Sequence, residues 1–265
     1  MPQDITAHVL RNVDLGGGNY LLEFPAAELV GAMLPAQFFM IGIPGAEPLL
    51  RRPFSVCGLP GTFEDGTPGA AQVLYKVLGR GTGLLASLNS GAPLTVLGPL
   101  GRGFTPPPAG VRPVFVAGGI GSAPFPAFAA ARGRAARPLL FYGARRAADL
   151  PLVDWFAART ELIVTTEDGS RGERGRVTEP LAAWLEHAER SAVRLYACGP
   201  EPMLRAVRQL ALRSAVDCEL SLEAHMACGF GVCLGCVVPT HEAGGVDYTR
   251  ICVDGPVMRA ERVAW

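Results

Sequence analysis

Two hydrophobic rhythms divide the chain. Up to about residue 104, apolar and polar residues alternate over short runs such as Thr6–Val13 and Tyr20–Phe24. A period of two puts alternate side chains on opposite faces of a strand. Gly and Pro punctuate these runs, most densely at the triplet Gly16–Gly18. Only Ala26–Met33 reads as a short helix. Short strands between tight turns predict an antiparallel β-barrel over residues 1–104. The run Thr105-Pro106-Pro107-Pro108-Ala109-Gly110 then breaks any regular element and reads as a linker.

From Arg112 apolar strands alternate with helical periods. Pro113–Ala117 predicts a buried strand and Phe125–Arg132 a helix. Leu139–Tyr142 predicts a strand, and Asp149 reads as the N-cap of a helix to Ala158. Leu162–Thr166 predicts a strand. Thr178 reads as the cap of a helix to Glu189, with Pro180 tolerated in its first turn. Val193–Cys198 predicts a strand. Glu201–Ser214 predicts a helix with Met203, Leu204, Val207, Leu210 and Ala211 on one face. This alternation implies a parallel sheet covered on both sides, an α/β domain over 105–217. Residues 218–265 form a small C-terminal module. The fold class is α+β multidomain.

At 265 residues the chain is long enough for two medium domains and a small appendage. Its 24 basic and 24 acidic residues balance, which removes any bulk electrostatic case for nucleic acid or an anionic membrane. Lys76 is the single Lys, which we read as genome composition. The opening MPQDITAHVL lacks the basic start and long apolar core of a signal peptide. No apolar run reaches the roughly 20 residues of a membrane helix. A cytoplasmic location is expected, where cysteines stay reduced. Of the seven, Cys57, Cys198 and Cys218 stand singly. Cys228, Cys233, Cys236 and Cys252 gather among glycines, which points to a metal centre.

Those four are spaced C-x4-C-x2-C with fifteen residues to the last. This is the plant-type spacing of a [2Fe–2S] cluster. Gly229, Gly231 and Gly235 let the backbone wrap closely and aim N–H groups at sulfur. A four-thiolate zinc site is the competing reading, although zinc sites more often use two C-x2-C pairs. Gly118-Gly119-Ile120-Gly121-Ser122-Ala123-Pro124 joins a strand to a helix, as a dinucleotide pyrophosphate turn does. The third glycine of the usual motif is missing, and a plain tight turn is the alternative. Cys198-Gly199-Pro200 ends another strand where open α/β sheets bind ligands. Cys198 there is equally a small buried hydrophobe. Glu167 and Asp168 could bond ribose hydroxyls or simply make a polar turn. In the barrel half, Arg52 could clamp a phosphate, with Pro53, Phe54 and Ser55 beside a ring system. Gly79, Gly81 and Thr82 could cradle a second phosphate, or form a hairpin turn.

Taken in order, R-P-x-S, G-x-G-T, G-G-x-G-x-A-P and C-G-P-x-x-M resemble the ferredoxin–NADP reductase superfamily. Adding Glu223 to Cys236 and Cys252-x-x-Gly255-Pro256, the chain is similar to electron-transfer subunits of class 1B dihydroorotate dehydrogenases. The resemblance implies FAD on Arg52, Pro53, Phe54, Ser55, Lys76, Val77, Gly79, Gly81 and Thr82. It implies NAD on Gly118, Gly119, Gly121, Ala123 and Pro124, with Gly199 and Pro200 alongside. It makes Ser55 and Cys198 the catalytic candidates, at the flavin edge and the nicotinamide. It implies [2Fe–2S] ligation by Cys228, Cys233, Cys236 and Cys252. A relay follows from it, from a partner catalytic subunit holding FMN, through cluster and FAD, to NAD⁺, in a heterotetramer of two subunits of each kind.

Some residues fall outside this pattern. Cys57 has no role in it, and Trp265 lies beyond the cysteine module. Arg145 and Arg146 could contact a 2′-phosphate, which leaves NADP open. His225 and His241 read as surface or structural groups, and Glu223 as a residue that orders the cysteine loop. The alternative within electron transfer is a stand-alone ferredoxin reductase, or the FAD/[2Fe–2S] subunit of another NAD(P)H–ferredoxin or sulfide-type oxidoreductase. The alternative outside it is a zinc-holding binding module.

Overall fold

The computed structural model describes residues 2–31, 33–131 and 137–265. Its first half contains β1 (Gln3–His8), β2 (Arg11–Gly16), β3 (Asn19–Pro25) and the one-turn α1 (Ala27–Val30). These are followed by β4 (Phe38–Gly42), β5 (Arg52–Gly58), β6 (Ala70–Lys76), α2 (Arg80–Ala86) and β7 (Pro93–Leu100). The strands form one antiparallel sheet in the order β1-β7-β4-β5-β6-β3-β2. β1 and β2 lie at opposite edges, yet two residues join them. Val9 N–H donates to Ala92 O at 2.9 Å and Leu10 N–H to Glu23 O at 2.8 Å. The chain therefore steps from one edge to the other, which curls the sheet into a half-barrel. The expected single run Thr6–Val13 is two strands; Val9 stays in phase because it is buried in the same core. The expected helix Ala26–Met33 is only Ala27–Val30, and Ala32 lies outside the described residues. β2 and β3 join through Gly16, Gly17 and Gly18 at φ 82°, 63° and 77°, a left-handed run that only glycine adopts cheaply.

The second half contains β8 (Arg112–Gly118), α3 (Phe125–Ala131), β9 (Leu139–Ala144), α4 (Val153–Arg159) and β10 (Glu161–Thr166). Then come β11 (Glu173–Arg174), α5 (Thr178–Leu185), β12 (Val193–Cys198), α6 (Glu201–Ser214) and β13 (Asp217–Ser221). The last elements are β14 (Val237–Glu242), β15 (Gly245–Arg250), α7 (Ile251–Asp254) and β16 (Val257–Arg259). The second sheet runs β11-β10-β9-β8-β12-β13-β16, parallel except for β16. Its central strands β8, β9 and β12 are buried on both faces, as their near-continuous apolar runs require. On one face Val114, Val116, Leu195 and Ala197 meet Leu181, Leu204 and Val207 of α5 and α6. On the other, Phe115, Tyr142 and Tyr196 meet Phe125, Phe128 and Phe156 of α3 and α4. Each such buried aliphatic or aromatic side chain contributes about 1.5–3 kcal/mol.

The larger differences from expectation fall at two helices. Asp149 caps no helix: it closes a single 3₁₀ turn, and α4 starts only after Pro151 and Leu152, the latter at φ 58°. Its carboxylate is drawn instead to Lys76 and Arg146. Thr178 is already helical, with Val177 at the cap position, and α5 stops at Leu185 rather than Glu189. The last residue expected of α3, Arg132, lies outside the described residues. β13 carries Cys218 into the sheet, and Glu219–Ser221 pair with β16. The cysteine segment thus leaves and re-enters the same sheet edge.

The two halves meet along a packed seam. Cys57 finds its place there, buried with Phe63, Leu74 and Ala123. Lys76 pairs with Asp149, Glu64 with Arg159 at 2.9 Å, and Asn19 Nδ2 donates to Ala148 O at 3.0 Å. The linker is pinned as well: Thr105 N–H donates to Glu219 at 2.9 Å, and Tyr196 Oη donates to Thr105 O at 2.9 Å. No helix among the described residues is long and apolar enough to cross a membrane.

Candidate functional site

The barrel supplies one wall. Arg52 opens β5, and its guanidinium donates to the carbonyls of Pro48, at 3.1 Å, and Leu50. It lies flat on Gly81, where an added Cβ would stand 2.6 Å from Arg52 Cζ. Gly79, at the start of α2, has no side chain with which to cap. Thr82 Oγ1 takes over, accepting from Leu78 N–H at 2.9 Å and Gly79 N–H at 3.2 Å. Glycine backbone beside a guanidinium and a threonine hydroxyl makes a cradle that fits the pyrophosphate of a flavin dinucleotide. Phe54 stands edge-on to Tyr75 at 5.7 Å, and Tyr75 stacks on Tyr20 at 5.5 Å. Lys76, expected only as a cofactor contact, ties the barrel to Asp149 across the seam.

The parallel sheet supplies the second wall. Topology reverses between β8 and β12, and ligands of open α/β sheets bind at such a switch point. The turn after β8 and the turn after β12 are packed together without slack. A Cβ on Gly121 would lie 2.6 Å from the carbonyl carbon of Cys198 and from Gly199 Cα. A Cβ on Gly118 would lie 2.7 Å from Pro200 Cδ. Gly121 is thus required by turn-on-turn packing alone, and Gly118 is tightly packed against side chains of the second turn. Cys198 is buried, and burial raises its thiol, with the charge of Glu223 adding to the shift and a hydrogen bond with Ser221 opposing it. It offers a neutral S–H.

The cysteine segment supplies the third. Its loop turns on Gly229 at φ 82° and Gly231 at φ 88°. Burial alone would raise the Cys228 thiol. Hydrogen bonds from the backbone of Cys233 and Phe230, then from the Cys233 side chain and the Val232 backbone, hold it at about 6 instead. Cys252 is pushed up to about 12, by burial and then by its hydrogen bond with Cys236. Cys228 is thus influenced by Cys233, and Cys252 by Cys236 and by the charge of Cys228, so the four thiols share one neighbourhood. Among the described residues no three ligating side chains gather as one ion requires. Four thiols spaced C-x4-C-x2-C with a distant fourth fit a cluster with two thiolates on each of two irons. Cys236 and Cys252 are buried against Phe38, Met40 and Leu100 of the barrel, whereas Cys233 is exposed.

A cleft of about 680 Å³ joins the three walls, a size suited to a cofactor. Arg52, Pro53, Phe54, Ser55, Lys76 and Thr82 line it from the barrel. Gly121, Ala123 and Cys198 line it from the sheet, and Ala224, Met226 and Gly235 from the cysteine segment. Gly81 faces an adjoining small cavity with Arg52 and Phe54. Val77, Gly79, Gly118, Gly119, Pro124, Gly199 and Pro200 lie in the supporting turns and strands rather than on the cleft itself. Glu223 and His225, read from sequence as loop-ordering and structural groups, line the same cleft. Burial pushes the Glu223 carboxyl up. The Tyr20–Tyr75 stack gave no sequence signal beyond β-propensity.

Half-barrel, doubly covered parallel sheet and thiol segment around one cleft define an oxidoreductase of the ferredoxin-reductase fold. The family model described as "Iron-sulfur cluster binding domain of dihydroorotate dehydrogenase B" matches residues 223–264. That described as "Oxidoreductase NAD-binding domain" matches residues 115–209. A protein of Caldanaerobacter subterraneus named "Dihydroorotate dehydrogenase B (NAD(+)), electron transfer subunit" is 38% identical over 229 residues, 86% of each chain. A protein of the same name from Desulforamulus reducens is 31% identical over 268 residues, covering all of both chains. A solved NADH-dependent reduced ferredoxin-NADP oxidoreductase superposes with a TM-score of 0.82 at 27% identity, over 98% of this chain and 90% of that one. The chain belongs to the family of dihydroorotate dehydrogenase B (NAD(+)) electron transfer subunits.

Proposed function

We propose that the chain carries electrons from the FMN-containing catalytic subunit of dihydroorotate dehydrogenase to NAD⁺, in a heterotetramer of two subunits of each kind. The observation that carries this reading is the one cleft on which the barrel, the nucleotide turn and the cysteine segment converge. When bound, FAD couples single-electron exchange with a [2Fe–2S] cluster to two-electron exchange with nicotinamide. Arg52, Gly79, Gly81 and Thr82 hold the FAD pyrophosphate, while Pro53, Phe54, Ser55, Lys76 and Val77 flank its ring. Gly118, Gly119, Gly121, Ala123 and Pro124 hold NAD, and Gly199 and Pro200 support them. Cys198 and Ser55 bound the space where nicotinamide and flavin meet. Cys228, Cys233, Cys236 and Cys252 hold the cluster. Residues 1–104, 105–217 and 218–265 serve these three tasks, with β13 and β16 of the last built into the second sheet. A cytoplasmic setting, which keeps thiols free for iron, suits the chain.

Reconstitution tests this reading. Dihydroorotate-dependent NAD⁺ reduction is expected only when the catalytic subunit is added to the purified chain. Failure with an active, matched subunit would overturn it and favour the second reading, a subunit of another NAD(P)H–ferredoxin oxidoreductase. The latter draws on the likeness to the NADH-dependent ferredoxin-NADP oxidoreductase.

The partner docks on the thiol loop. Phe230, Val232 and Leu234 are exposed at 53%, 73% and 59% around Cys233, an apolar patch at the open end of the thiol set. Val232→Asp is expected to weaken association with the catalytic subunit at least about tenfold. It should leave NADH reduction of the flavin unchanged. The concentration of catalytic subunit giving half-maximal turnover measures it, and an unchanged value places the partner elsewhere.

A further inference from the structure

The nucleotide turn is held from a second side by a residue with no part in the relay above. Tyr142, in β9, is fully buried, and its ring stands edge-on to Phe156 at 5.7 Å. Its hydroxyl lies 2.9 Å from Ser122 Oγ, 3.2 Å from the Gly119 carbonyl and 3.0 Å from the Pro151 carbonyl. The one phenolic proton serves the carbonyls, and the buried Ser122 hydroxyl can return a proton to the phenol oxygen. Burial pushes the phenol well above its usual range, so it stays a neutral donor.

Two of these partners belong to the turn 118–124. The third follows the segment that carries Ala148 and Asp149. That segment is bound to the barrel, Ala148 O by Asn19 and Asp149 by Lys76. Gly17 presses on it too, since a Cβ there would collide with the Ala148 carbonyl. One phenol therefore references the nucleotide turn to the barrel. On the far side of the turn the Cys198–Gly199 backbone acts only as a stop, by contact with Gly121. Gly119, at φ 54°, leaves the turn without side-chain stiffness of its own.

We propose that Tyr142 is a positioning residue for dinucleotide binding, its hydroxyl fixing the turn 118–124 against the segment 147–151 and so against the flavin barrel. This inference rests on the reading of that turn as the NAD site. Tyr142→Phe removes one oxygen, keeps the ring, and strands the Gly119 and Pro151 carbonyls without their donor.

Calorimetric titration of the FAD- and cluster-loaded chain with NAD⁺ tests it. Tyr142→Phe is expected to raise Kd about 2- to 10-fold, the worth of one buried hydrogen bond. KM for NAD⁺ rises in step while kcat is retained. Ser122→Ala gives part of the same rise, and the double variant gives no more than Tyr142→Phe alone. Phe156→Leu loosens the same pocket but spares the hydroxyl, so it lowers Tm without moving Kd. An unchanged Kd in Tyr142→Phe overturns the proposal, and so does an equal rise in Phe156→Leu. Wild-type chain that fails to bind NAD⁺ defeats the nucleotide reading itself, and this inference with it.

Discussion

Cys233→Ser is expected to empty the proposed cluster site and to cut electron exchange with the catalytic subunit, while FAD stays bound. Cys233 is the exposed member of the thiol set and a hydrogen-bond partner of Cys228. A serine hydroxyl is a poor substitute for a thiolate on iron. Altering groups that merely support ligands already costs 10- to 100-fold in affinity, and a ligand itself is worth more. The proposed flavin cradle draws on Arg52, Gly81 and Thr82, none of which belongs to the cysteine segment. The absorption spectrum should therefore lose its iron–sulfur bands and keep its flavin bands. NADH should still bleach the flavin at close to the wild-type rate. Turnover with the catalytic subunit should fall by more than about 100-fold. Intact partner turnover would remove Cys233 from the ligand set.

Gly121→Ala is expected to have the second large effect, at the proposed nucleotide turn. The new methyl would meet backbone atoms of Cys198 and Gly199 at 2.6 Å. No flexible side chain can yield there, so one turn must move away from the other. A shift of about 1 Å in a hydride-transfer geometry costs on the order of 100-fold in rate. Single-turnover reduction of the flavin by NADH should slow accordingly, with flavin and iron–sulfur spectra unchanged. Gly118→Ala should be milder, because one of its close neighbours, Met203 Sδ at 2.8 Å, can swing aside. If the two alanine variants slow the reaction equally, steric fit between the turns does not govern it.

How much of this was legible in the sequence depends on the range of the interactions. Val193–Cys198 and Glu201–Ser214 end where periodicity ends them, because long apolar faces dominate those segments. The thiol spacing is local and reads directly. Asp149 looked like a helix cap because its neighbours in sequence suggest one; its partner Lys76 is 73 residues away. Cys57 carried no pattern, since its role is to fill a seam between two halves. β16 is three residues long, too short for any period, and only its pairing with β13 reveals it. Tyr142 reads as one more apolar strand residue, and its hydroxyl contacts appear only when the turn 118–124 and the segment ending at Pro151 are brought to it.

The thiol set has one dry half and one wet half. Cys236 and Cys252 are sealed against Phe38, Met40 and Leu100, while Cys233 opens to solvent. Solvent access and local dielectric help to set the potential of an iron–sulfur centre. A protein that covers the open half changes both. Thermodynamic reciprocity then requires that the oxidised and reduced forms grip that protein with different strength. Docking and redox state become linked quantities, so the affinity of the complex reports how many electrons it holds.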